Sequence, residues 1–381
     1  MKTLFRVVCK AGAWIVCRLF PVNSKKVVIS SYYGRGYGDN PKYIVEKLLR
    51  RSDRLNIIWM VKNDDEAKNL PKGVKTCRYN SVSGIYHLST AKVWIDNCRK
   101  GFVMFKRKKQ YYIQTWHGFA IKRIERDVEK QLSEYYVKCA KRDSKMIDIA
   151  ISDSAHTTRL YKESFWYDGE ILECGAPRND IIIEGADLVK EKIFEALNIP
   201  KGRKLVMYAP TFRSDLKSDA YSIDYKRLKE SCEKRFGGEF SVLVRLHPNV
   251  IKNSDSMHFD GVDSINASYY PDMQELLAVS DVVISDYSSL MVDYSLSGKP
   301  CFQFAMDIEE YKKDRDFYFD IGNLPFVLSR TNDELEQNVL GFDESAYKVS
   351  LDEFFKSVGM IQNSEASSEC AALILRVCGI E

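Results

Sequence analysis

The sequence lacks the patterns that mark several common classes of protein. None of its ten cysteines forms a CxxC pair, which excludes a zinc ribbon and a thioredoxin-like redox motif. No stretch reaches the roughly 18 uninterrupted apolar residues that a membrane-spanning helix needs, so an integral multi-span protein is not expected. Lys and Arg number 57 against 53 for Asp and Glu, and this net charge of +4 argues against nucleic acid as a partner.

Signatures of several enzyme sites are missing as well. The chain has no GxxxxGK[ST] loop, which excludes a P-loop, and no GxSxG elbow of a serine hydrolase. The spacing of Gly34, Gly36 and Gly38 is only a weak dinucleotide signal, and we interpret this stretch as a flexible loop at a crevice. Neither His156 nor His258 has a partner at metal-ligand spacing, so no metal site is expected.

What the sequence does contain is regular α/β patterning. Apolar, β-rich runs alternate with helical patterns, which predicts parallel sheets covered on both faces. The runs of the first half lie at 26–31, 56–61, 92–97, 111–115, 147–152 and 170–174. Those of the second half lie at 204–208, 241–246, 282–285 and 300–304.

An internal echo indicates two similar halves. IDIAISDSAHTTRLY from residue 147 resembles DVVISDYSSLMVDY from residue 281. We therefore predict two doubly wound, Rossmann-type domains that face a central cleft, at 23–190 and 191–381, preceded by a helix at 1–22. The last helix, at about 367–378, is expected to pack back on the first domain.

The N-terminal segment has the pattern of an amphipathic helix. Its basic residues fall on one side of a helical projection; they are Lys2, Arg6, Lys10 and Arg18. The other side is apolar and carries Phe5, Val8, Trp14, Ile15 and Leu19. The pattern favours a helix lying in a membrane interface with Trp14 at headgroup depth. The alternative is a helix packed on the protein's own core.

A second basic run has aromatic residues interleaved with it. Its cations are Arg99, Lys100, Lys106, Arg107, Lys108 and Lys109. Its apolar members are Phe102, Met104 and Phe105. Such a run is either a solvated loop or a contact with an anionic lipid surface.

Candidate functional residues follow the predicted strands. In open α/β sheets, ligands bind outside the carboxyl ends of the strands. His117 follows the run 111–115 and sits in a tight turn between Trp116 and Gly118. Because the usual pKa of histidine is about 6.5, His117 could accept a proton near neutral pH. The alternative is a structural histidine bonded to the backbone.

Another histidine, His247, follows the run 241–246 in the motif RLHP. Arg245 lies two residues earlier, on the same face of a continuing strand. Together they suit a phosphate whose charge must be stabilised. The alternative for His247 is a capping role in the following loop.

Hydroxyl and guanidinium groups follow two further strands. Thr211 and Arg213 come after the run 204–208. The segment Ser285-Asp286-Tyr287-Ser288-Ser289 reads as a strand end, an N-cap and a helix start, where amide groups and hydroxyls converge on an anion. Asp286 is either a ligand contact or simply the N-cap.

Taken together, these motifs resemble a known family. WHG at 116–118, APTFR at 209–213, RLHP at 245–248 and SDYSS at 285–289, followed by MVDY and KP, are similar to the CDP-glycerol glycerophosphotransferases of teichoic acid synthesis. The resemblance implies a GT-B-like fold and a peripheral location at the cytoplasmic face of the cell membrane. It also implies transfer of a polyol phosphate from CDP-glycerol or CDP-ribitol to a polyprenyl-diphosphate-linked acceptor, with release of CMP.

The resemblance also assigns roles to individual residues. His117 and His247 match the family's two histidines required for activity. The region that holds the donor diphosphate corresponds to Thr211, Arg213, Arg245, Ser285, Asp286, Ser288 and Ser289. The acceptor side corresponds to Trp116, Gly118, Lys122 and Asp127. The CDP-polyol is a substrate, so no cofactor is expected, and an anionic membrane surface is the expected macromolecular partner.

Three other functions remain alternatives on the residues alone. A GT-B glycosyltransferase that uses a nucleotide sugar would share the fold and the diphosphate site but form a glycosidic bond. A sugar-nucleotide epimerase of the same architecture would lack a lipid-surface anchor. A non-enzymatic, membrane-docked assembly protein would have no reason to retain two histidines and two arginines at strand ends. The choice of polyol, primase or polymerase activity, and homo-oligomerisation stay open.

Overall fold

The chain forms two compact units. The computed structural model describes residues 2–101, 104–211, 222–246, 264–309, 311 and 316–380. Of residues 2–9 and 188 it describes the backbone only. The first unit comprises Met1–His117, Ile124–Asp180 and Met360–Glu381. The second comprises Gly118–Arg123 and Ile181–Gly359. The first unit gives way to the second after Asp180. The domain boundary expected at 190–191 stays a prediction.

The first unit is built on a seven-stranded sheet. Its strands are β1 (Asn23–Ser30), β2 (Asn56–Val61), β3 (Lys75–Arg78), β4 (Ala91–Asp96), β5 (Tyr111–Gln114), β6 (Ile149–Ser152) and β7 (Glu170–Glu173). All neighbours pair in parallel, in the order β3-β2-β1-β4-β5-β6-β7. The strand order reverses between β1 and β4, and this switch point is where open α/β sheets bind ligands.

Helices cover both faces of this sheet. Among the described residues they are α1 (Lys2–Cys17), α2 (Asp39–Arg51), α3 (Val82–Thr90), α4 (Glu134–Ser144), α5 (Ala155–Glu163) and, from the end of the chain, α13 (Ala366–Val377). Val27, Ile29, Trp59 and Ile95 are at most 1% exposed. Strands buried on both faces need apolar residues at successive positions, which explains the continuous apolar runs of the sequence.

The second unit repeats this architecture with six strands. They are β8 (Lys204–Tyr208), β9 (Phe240–Val244), β10 (Ser264–Asn266), β11 (Val282–Ser285), β12 (Cys301–Phe304) and β13 (Val327–Ser329). All pairs are parallel, in the order β10-β9-β8-β11-β12-β13. The switch point lies between β8 and β11. The predicted pair of doubly wound, Rossmann-type units is confirmed.

The described helices of the second unit surround its sheet. They are α6 (Asp180–Glu184), α7 (Asp187–Ala196), α8 (Tyr225–Phe236), α9 (Met273–Val279), α10 (Leu290–Ser295), α11 (Asn332–Leu340) and α12 (Glu344–Val358). Within the described ranges, no helix is both long enough and apolar enough to cross a membrane.

The last helix belongs to the core of the first unit. In α13, Cys370, Ala371 and Ile374 are fully buried in the same apolar cluster as β1 and α2. Fully burying a side chain such as Ile374 stabilises a fold by about 1.5–3 kcal/mol. The backbone N–H of Ser367 also donates to the carboxylate of Asp180 at 2.8 Å. The chain therefore returns to its first sheet after completing the second unit.

The N-terminal helix is only partly exposed. Trp14 is 2% exposed and its ring lies 6.2 Å from that of Trp94, so the prediction that Trp14 sits at headgroup depth is wrong. The amphipathic pattern could not distinguish burial in the protein from burial in lipid, because both need the same apolar face. Ile15 and Leu19 are 70% and 84% exposed. Attachment of this exposed edge to a membrane stays a prediction.

The second basic run also begins inside the protein. Arg99 is 4% exposed and its Nη2 donates to the Glu125 carboxylate at 2.8 Å. Lys100 is 2% exposed and pairs with Asp96. Neither cation lies in a solvated loop or can touch a lipid surface, so both interpretations are wrong for them. Each forms a buried ion pair whose disruption would leave an uncompensated charge.

Candidate active site

The turn that carries His117 is held by a buried asparagine. Strand β5 ends at Gln114, and the backbone then adopts a left-handed conformation at Trp116 with φ +51°. The Asn40 amide donates to the carbonyls of Thr115 at 3.2 Å and Trp116 at 3.0 Å. A non-glycine residue in this conformation is strained and persists only where its surroundings enforce it. Asn40 therefore fixes the position of His117.

The hydrogen bonding of His117 defines its tautomer. Its Nδ1–H donates to the Asn97 carbonyl at 2.6 Å. A carbonyl can only accept, so Nδ1 carries the hydrogen and the Nε2 of the neutral ring keeps its lone pair. No described residue hydrogen-bonds to Nε2. The alternative of a structural histidine bonded to the backbone explains the hydrogen bond of Nδ1 only. The Nε2 nitrogen is left to receive a proton.

The environment of His117 favours the neutral ring. Burial lowers its pKa below the usual histidine range, against the opposing effects of the Asn97 carbonyl and the Asp39 carboxylate. The ring also packs against Trp116, with the centroids 4.1 Å apart and an interplanar angle of 32°. At neutral pH the imidazole is therefore in the form that accepts a proton, as a general base requires.

A polar network surrounds this base. The Tyr32 N–H donates to the Asn97 side-chain oxygen at 2.9 Å, and the Tyr32 hydroxyl donates to Asp39 at 2.6 Å. Arg178 pairs with the same Asp39 oxygen at 3.0 Å. Burial alone raises the pKa of Asp39, but Arg178 and Tyr32 outweigh it, so the pKa lies below its usual value. The network keeps a buried negative charge near His117.

These supporting residues were missed in the sequence. The stretch with the three glycines is held at both ends, at Tyr32 by a hydrogen bond to Asn97 and at Asp39 by the ion pair with Arg178. Asp39 adopts φ +59° and still begins α2. An available signal was the Asp39-Asn40 pair directly after the last glycine, since both side chains favour turns and helix starts.

The four predicted acceptor-side residues do not belong to one unit. Trp116 and Asp127 lie in the first unit, where Asp127 accepts from the Ser164 hydroxyl at 2.6 Å. Gly118 and Lys122 lie in the second. The Lys122 ammonium donates to the Tyr311 hydroxyl at 2.6 Å. The acceptor-side role of these four residues stays a prediction.

Lys122 is linked through Tyr311 to the SDYSS segment. The Tyr311 ring stacks on Tyr287 with centroids 4.0 Å apart and an interplanar angle of 15°. The Tyr287 hydroxyl donates to Asp307 at 2.9 Å. Lys122 therefore contacts a ring that packs directly against the predicted donor region.

At the switch point of the second sheet, Asp286 joins the ends of β8 and β11. Its carboxylate accepts from the Thr211 N–H and from the Thr211 hydroxyl, each at 3.0 Å. The Ser285 hydroxyl donates to the Ala209 carbonyl at 2.6 Å. Thr211, Ser285 and Asp286 thus fix each other across the crevice where a ligand is expected.

The helix after β11 begins later than the sequence predicts. Helix α10 begins at Leu290 with Ser289 as its N-cap residue, so the alternative of Asp286 as N-cap is wrong. The helix has only six residues, which gives little of the dipole that was expected to hold an anion. The Ser288 hydroxyl accepts from the Leu290 N–H at 3.4 Å. Both serines are partly exposed, so their hydroxyls can reach a ligand.

Arg245 is a partly buried cation that forms no ion pair with a carboxylate in the described part of the chain. Its Nη1 donates to the carbonyls of Ala267 at 2.7 Å and Ser268 at 2.9 Å, and also to that of Tyr270. Burial lowers its pKa to about 10, so it stays charged at neutral pH. Its Nε and Nη2 groups have no hydrogen-bond partner among the described residues. Such a charge suits a phosphate.

Comparison with known proteins identifies the family. The profile of the CDP-Glycerol:Poly(glycerophosphate) glycerophosphotransferase family matches residues 13–376. The chain belongs to this family. The predicted resemblance is confirmed, and the match covers both units.

Individual relatives carry teichoic acid names. The chain is 32% identical over 370 residues to a teichoic acid poly(glycerol phosphate) polymerase of Staphylococcus epidermidis, covering 93% of this chain but 51% of the polymerase. The chain therefore spans about half the length of that relative. It is 28% identical over 373 residues to a teichoic acid ribitol-phosphate primase of Bacillus spizizenii, covering 94% of this chain and 93% of the primase.

A solved structure of the wall teichoic acid polymerase TagF has the same fold. The TM-score is 0.85 at 30% identity, with 99% of this chain and 97% of that chain covered. The predicted GT-B-like fold class is thereby confirmed. A histidine variant of that polymerase was soaked with CDPG.

Two residues that the family resemblance singles out cannot be placed. His247 and Arg213 lie outside the described residues, and their roles stay predictions. Among the described residues, no cluster of three or more His, Cys, Asp or Glu side chains has the arrangement of a metal site.

Proposed function

We propose that the protein transfers a polyol phosphate from CDP-glycerol or CDP-ribitol to a hydroxyl of a polyprenyl-linked acceptor and releases CMP. The observation that carries this proposal is the geometry of His117. Its Nδ1–H donates to the Asn97 carbonyl, and its Nε2 has no hydrogen-bond partner among the described residues. The lowered pKa keeps this nitrogen unprotonated at neutral pH. Family membership supplies the donor class.

The reaction is an in-line displacement at the β-phosphorus of the donor. The acceptor oxygen forms a new bond to this phosphorus, and the bond from the phosphorus to the oxygen that bridges to the α-phosphate breaks. CMP leaves with the electron pair of that bond, and the acceptor proton passes to His117 Nε2. Phosphoryl transfer depends mainly on positioning and on stabilisation of charge.

The second unit is proposed to hold the donor. The Nε and Nη2 groups of Arg245 donate to no described residue, and the hydrogen bonds between Thr211 and Asp286 fix the loops at the switch point. The Ser288 and Ser289 hydroxyls donate further hydrogen bonds to the bound CDP-polyol. His247 and Arg213, placed here by the family resemblance alone, would offset charge on the transferring phosphate.

A panel of donors tests the proposed function. We expect CMP release from CDP-glycerol or CDP-ribitol in the presence of a short polyprenyl-linked acceptor in detergent, and no UDP release from UDP-N-acetylglucosamine. The active CDP donor identifies the polyol. UDP release with both CDP donors inert would contradict the proposal and establish a glycosyltransferase instead.

We also propose a peripheral location at the cytoplasmic face of the cell membrane. Support comes from the exposed apolar side chains at the end of α1 and just beyond it, including Ile15 and Leu19. Interfacial helices bind membranes by burying such side chains beside basic residues.

Vesicle binding tests this location. We expect the protein to co-sediment with phosphatidylglycerol vesicles, and the variant Ile15→Gln/Leu19→Gln to bind at least about tenfold more weakly because it loses two apolar anchors. Val349→Gln is the matched control, since Val349 is 58% exposed in the second unit. Equal binding of all three proteins would exclude α1 as the membrane contact.

A further inference from the structure

A pocket opens at the carboxyl edge of the first sheet. Its volume is about 530 Å³, within the range of about 300–1,000 Å³ typical of small-molecule sites. It is lined by the segments that follow β1, β2, β3 and β4, together with the start of α4. None of the residues assigned by family resemblance lies in its lining. The proposed function therefore assigns no role to this pocket.

The lining of this pocket is basic. It contains four cations and no carboxylate. Two of them, Arg99 and Lys100, are neutralised by the buried ion pairs described above. The other two, Arg35 and Lys62, are exposed, and their side chains have no hydrogen bond or ion pair with any described residue. These two charges are available to an anion from solution.

The backbone holds the two available cations in adjacent loops. The Lys62 N–H donates to the Gly34 carbonyl at 2.7 Å. Gly34 has φ +86°, and a Cβ added there would lie 2.9 Å from the Lys62 nitrogen. Only glycine permits this close approach with that conformation. The loops after β1 and β2 are therefore tied together immediately beside Arg35 and Lys62.

Tyrosine rings form much of the remaining wall. Tyr33 and Tyr79 meet edge to face with centroids 6.4 Å apart, and Tyr135 and Tyr136 also line the pocket. Tyr33 has φ +60°, a conformation that a bulky residue rarely adopts, and such strain gathers at functional sites. Amphipathic rings next to unpaired cations suit an anionic group attached to a sugar or a prenyl chain.

The pocket and the base share two loops. Tyr32 precedes Tyr33 and its ring lies 5.6 Å from that of His117. Asn97, which accepts from His117, lies two residues before Arg99 of the pocket lining. A ligand in this pocket would therefore sit beside the residues that orient the proposed base, within the same unit.

We propose that this pocket binds the phosphate group of the lipid-linked acceptor, with Arg35 and Lys62 as its contacts. The inference rests on the proposed function for the identity of the ligand. The acceptor is favoured over the donor because the pocket shares its loops with the base that takes the acceptor proton. The residues assigned to the donor lie in the second unit.

Equilibrium binding by calorimetry to the full chain tests this site. The probes are farnesyl diphosphate, inorganic pyrophosphate and farnesol. We expect Arg35→Gln/Lys62→Gln to bind farnesyl diphosphate about tenfold more weakly than the wild type, because two cation–phosphate contacts are lost. Affinity for CDP-glycerol should not change. The control Arg51→Gln/Lys145→Gln removes two exposed charges of the same unit outside the pocket.

The outcomes separate the sources of affinity. A parallel loss of pyrophosphate binding supports the anion contact and assigns the affinity to the phosphates. A loss seen for the prenyl diphosphate alone also supports the site and adds the tyrosine wall to the contact. Equal binding of farnesyl diphosphate by the pocket variant and the control would overturn the proposal, as would farnesol binding as tightly as its diphosphate. If neither CDP-polyol serves as a donor, the proposed function is wrong. The binding result for this pocket is independent of that outcome.

Discussion

Replacing His117 with alanine is expected to lower the turnover number for CMP release by about 10²–10⁴-fold, the usual effect of removing a general base. The ring is positioned by its bond to the Asn97 carbonyl, and its open Nε2 is the atom that would take the acceptor proton. Alanine cannot accept this proton. The affinity for CDP-glycerol, measured by calorimetry, should stay the same, because the assigned donor residues lie in the second unit.

The control for this variant is another histidine of the first unit. His87 is partly buried, and burial lowers its pKa as it does for His117. His87→Gln should keep wild-type turnover. Turnover within a few-fold of wild type for His117→Ala would remove His117 from the role of base. A loss of donor affinity equal to the loss of turnover would point to a binding role instead.

The pH profile of the wild-type protein gives a second readout of the same prediction. Burial lowers the pKa of His117 below its usual value of about 6.5. A base must be unprotonated, so kcat/KM should be constant near pH 7 and fall only as the pH drops through this lowered pKa. The acidic limb should therefore lie below the usual range of histidine. A limb at or above pH 7 would contradict the assignment.

The central strands of both sheets could be predicted from the sequence, and three of the four edge strands among the described residues could not. Strands β2, β8 and β11 have the predicted bounds because each is buried on both faces and reads as an apolar run. Strands β3, β10 and β13 were missed. Each lies at the edge of its sheet and is only partly buried, with burial confined to few positions. Without a continuous apolar run they carry no strong signal.

The candidate site divides in the same way. His117 was predictable because it directly follows a strand, and the carboxyl ends of parallel strands meet at one edge. The residues that position it come from distant parts of the chain, and Arg178 and Asp39 are 139 positions apart. Only the order of strands brings them together. Likewise, the hydropathy of Trp14 and the charge of Arg99 left open whether their environment is lipid, water or the protein itself.

Removing the charge of Arg245 is expected to weaken donor binding strongly. Arg245→Gln should raise the KM for the CDP-polyol by roughly 10–100-fold, because a hydrogen bond to a charged group contributes about 1.5–3 kcal/mol. Arg245 is partly buried, remains charged with a pKa of about 10, and forms no ion pair with a carboxylate among the described residues. Steady-state CMP release and calorimetry with CDP-glycerol measure the effect.

The same variant also loses the bonds from Nη1 to the carbonyls of Ala267 and Ser268, so a loss of folding must be separated from a loss of phosphate binding. Arg245→Lys keeps the charge but not the planar fork, and it should recover part of the donor affinity without restoring all of these bonds. Arg203→Gln is the matched control, since Arg203 also donates to a carbonyl, that of Phe240 at 3.2 Å. Arg245→Gln could unfold no more readily than Arg203→Gln and still bind CDP-glycerol like the wild type. The charge of Arg245 would then stabilise only the turn at 267–270, and the donor phosphates would be bound elsewhere in the second unit.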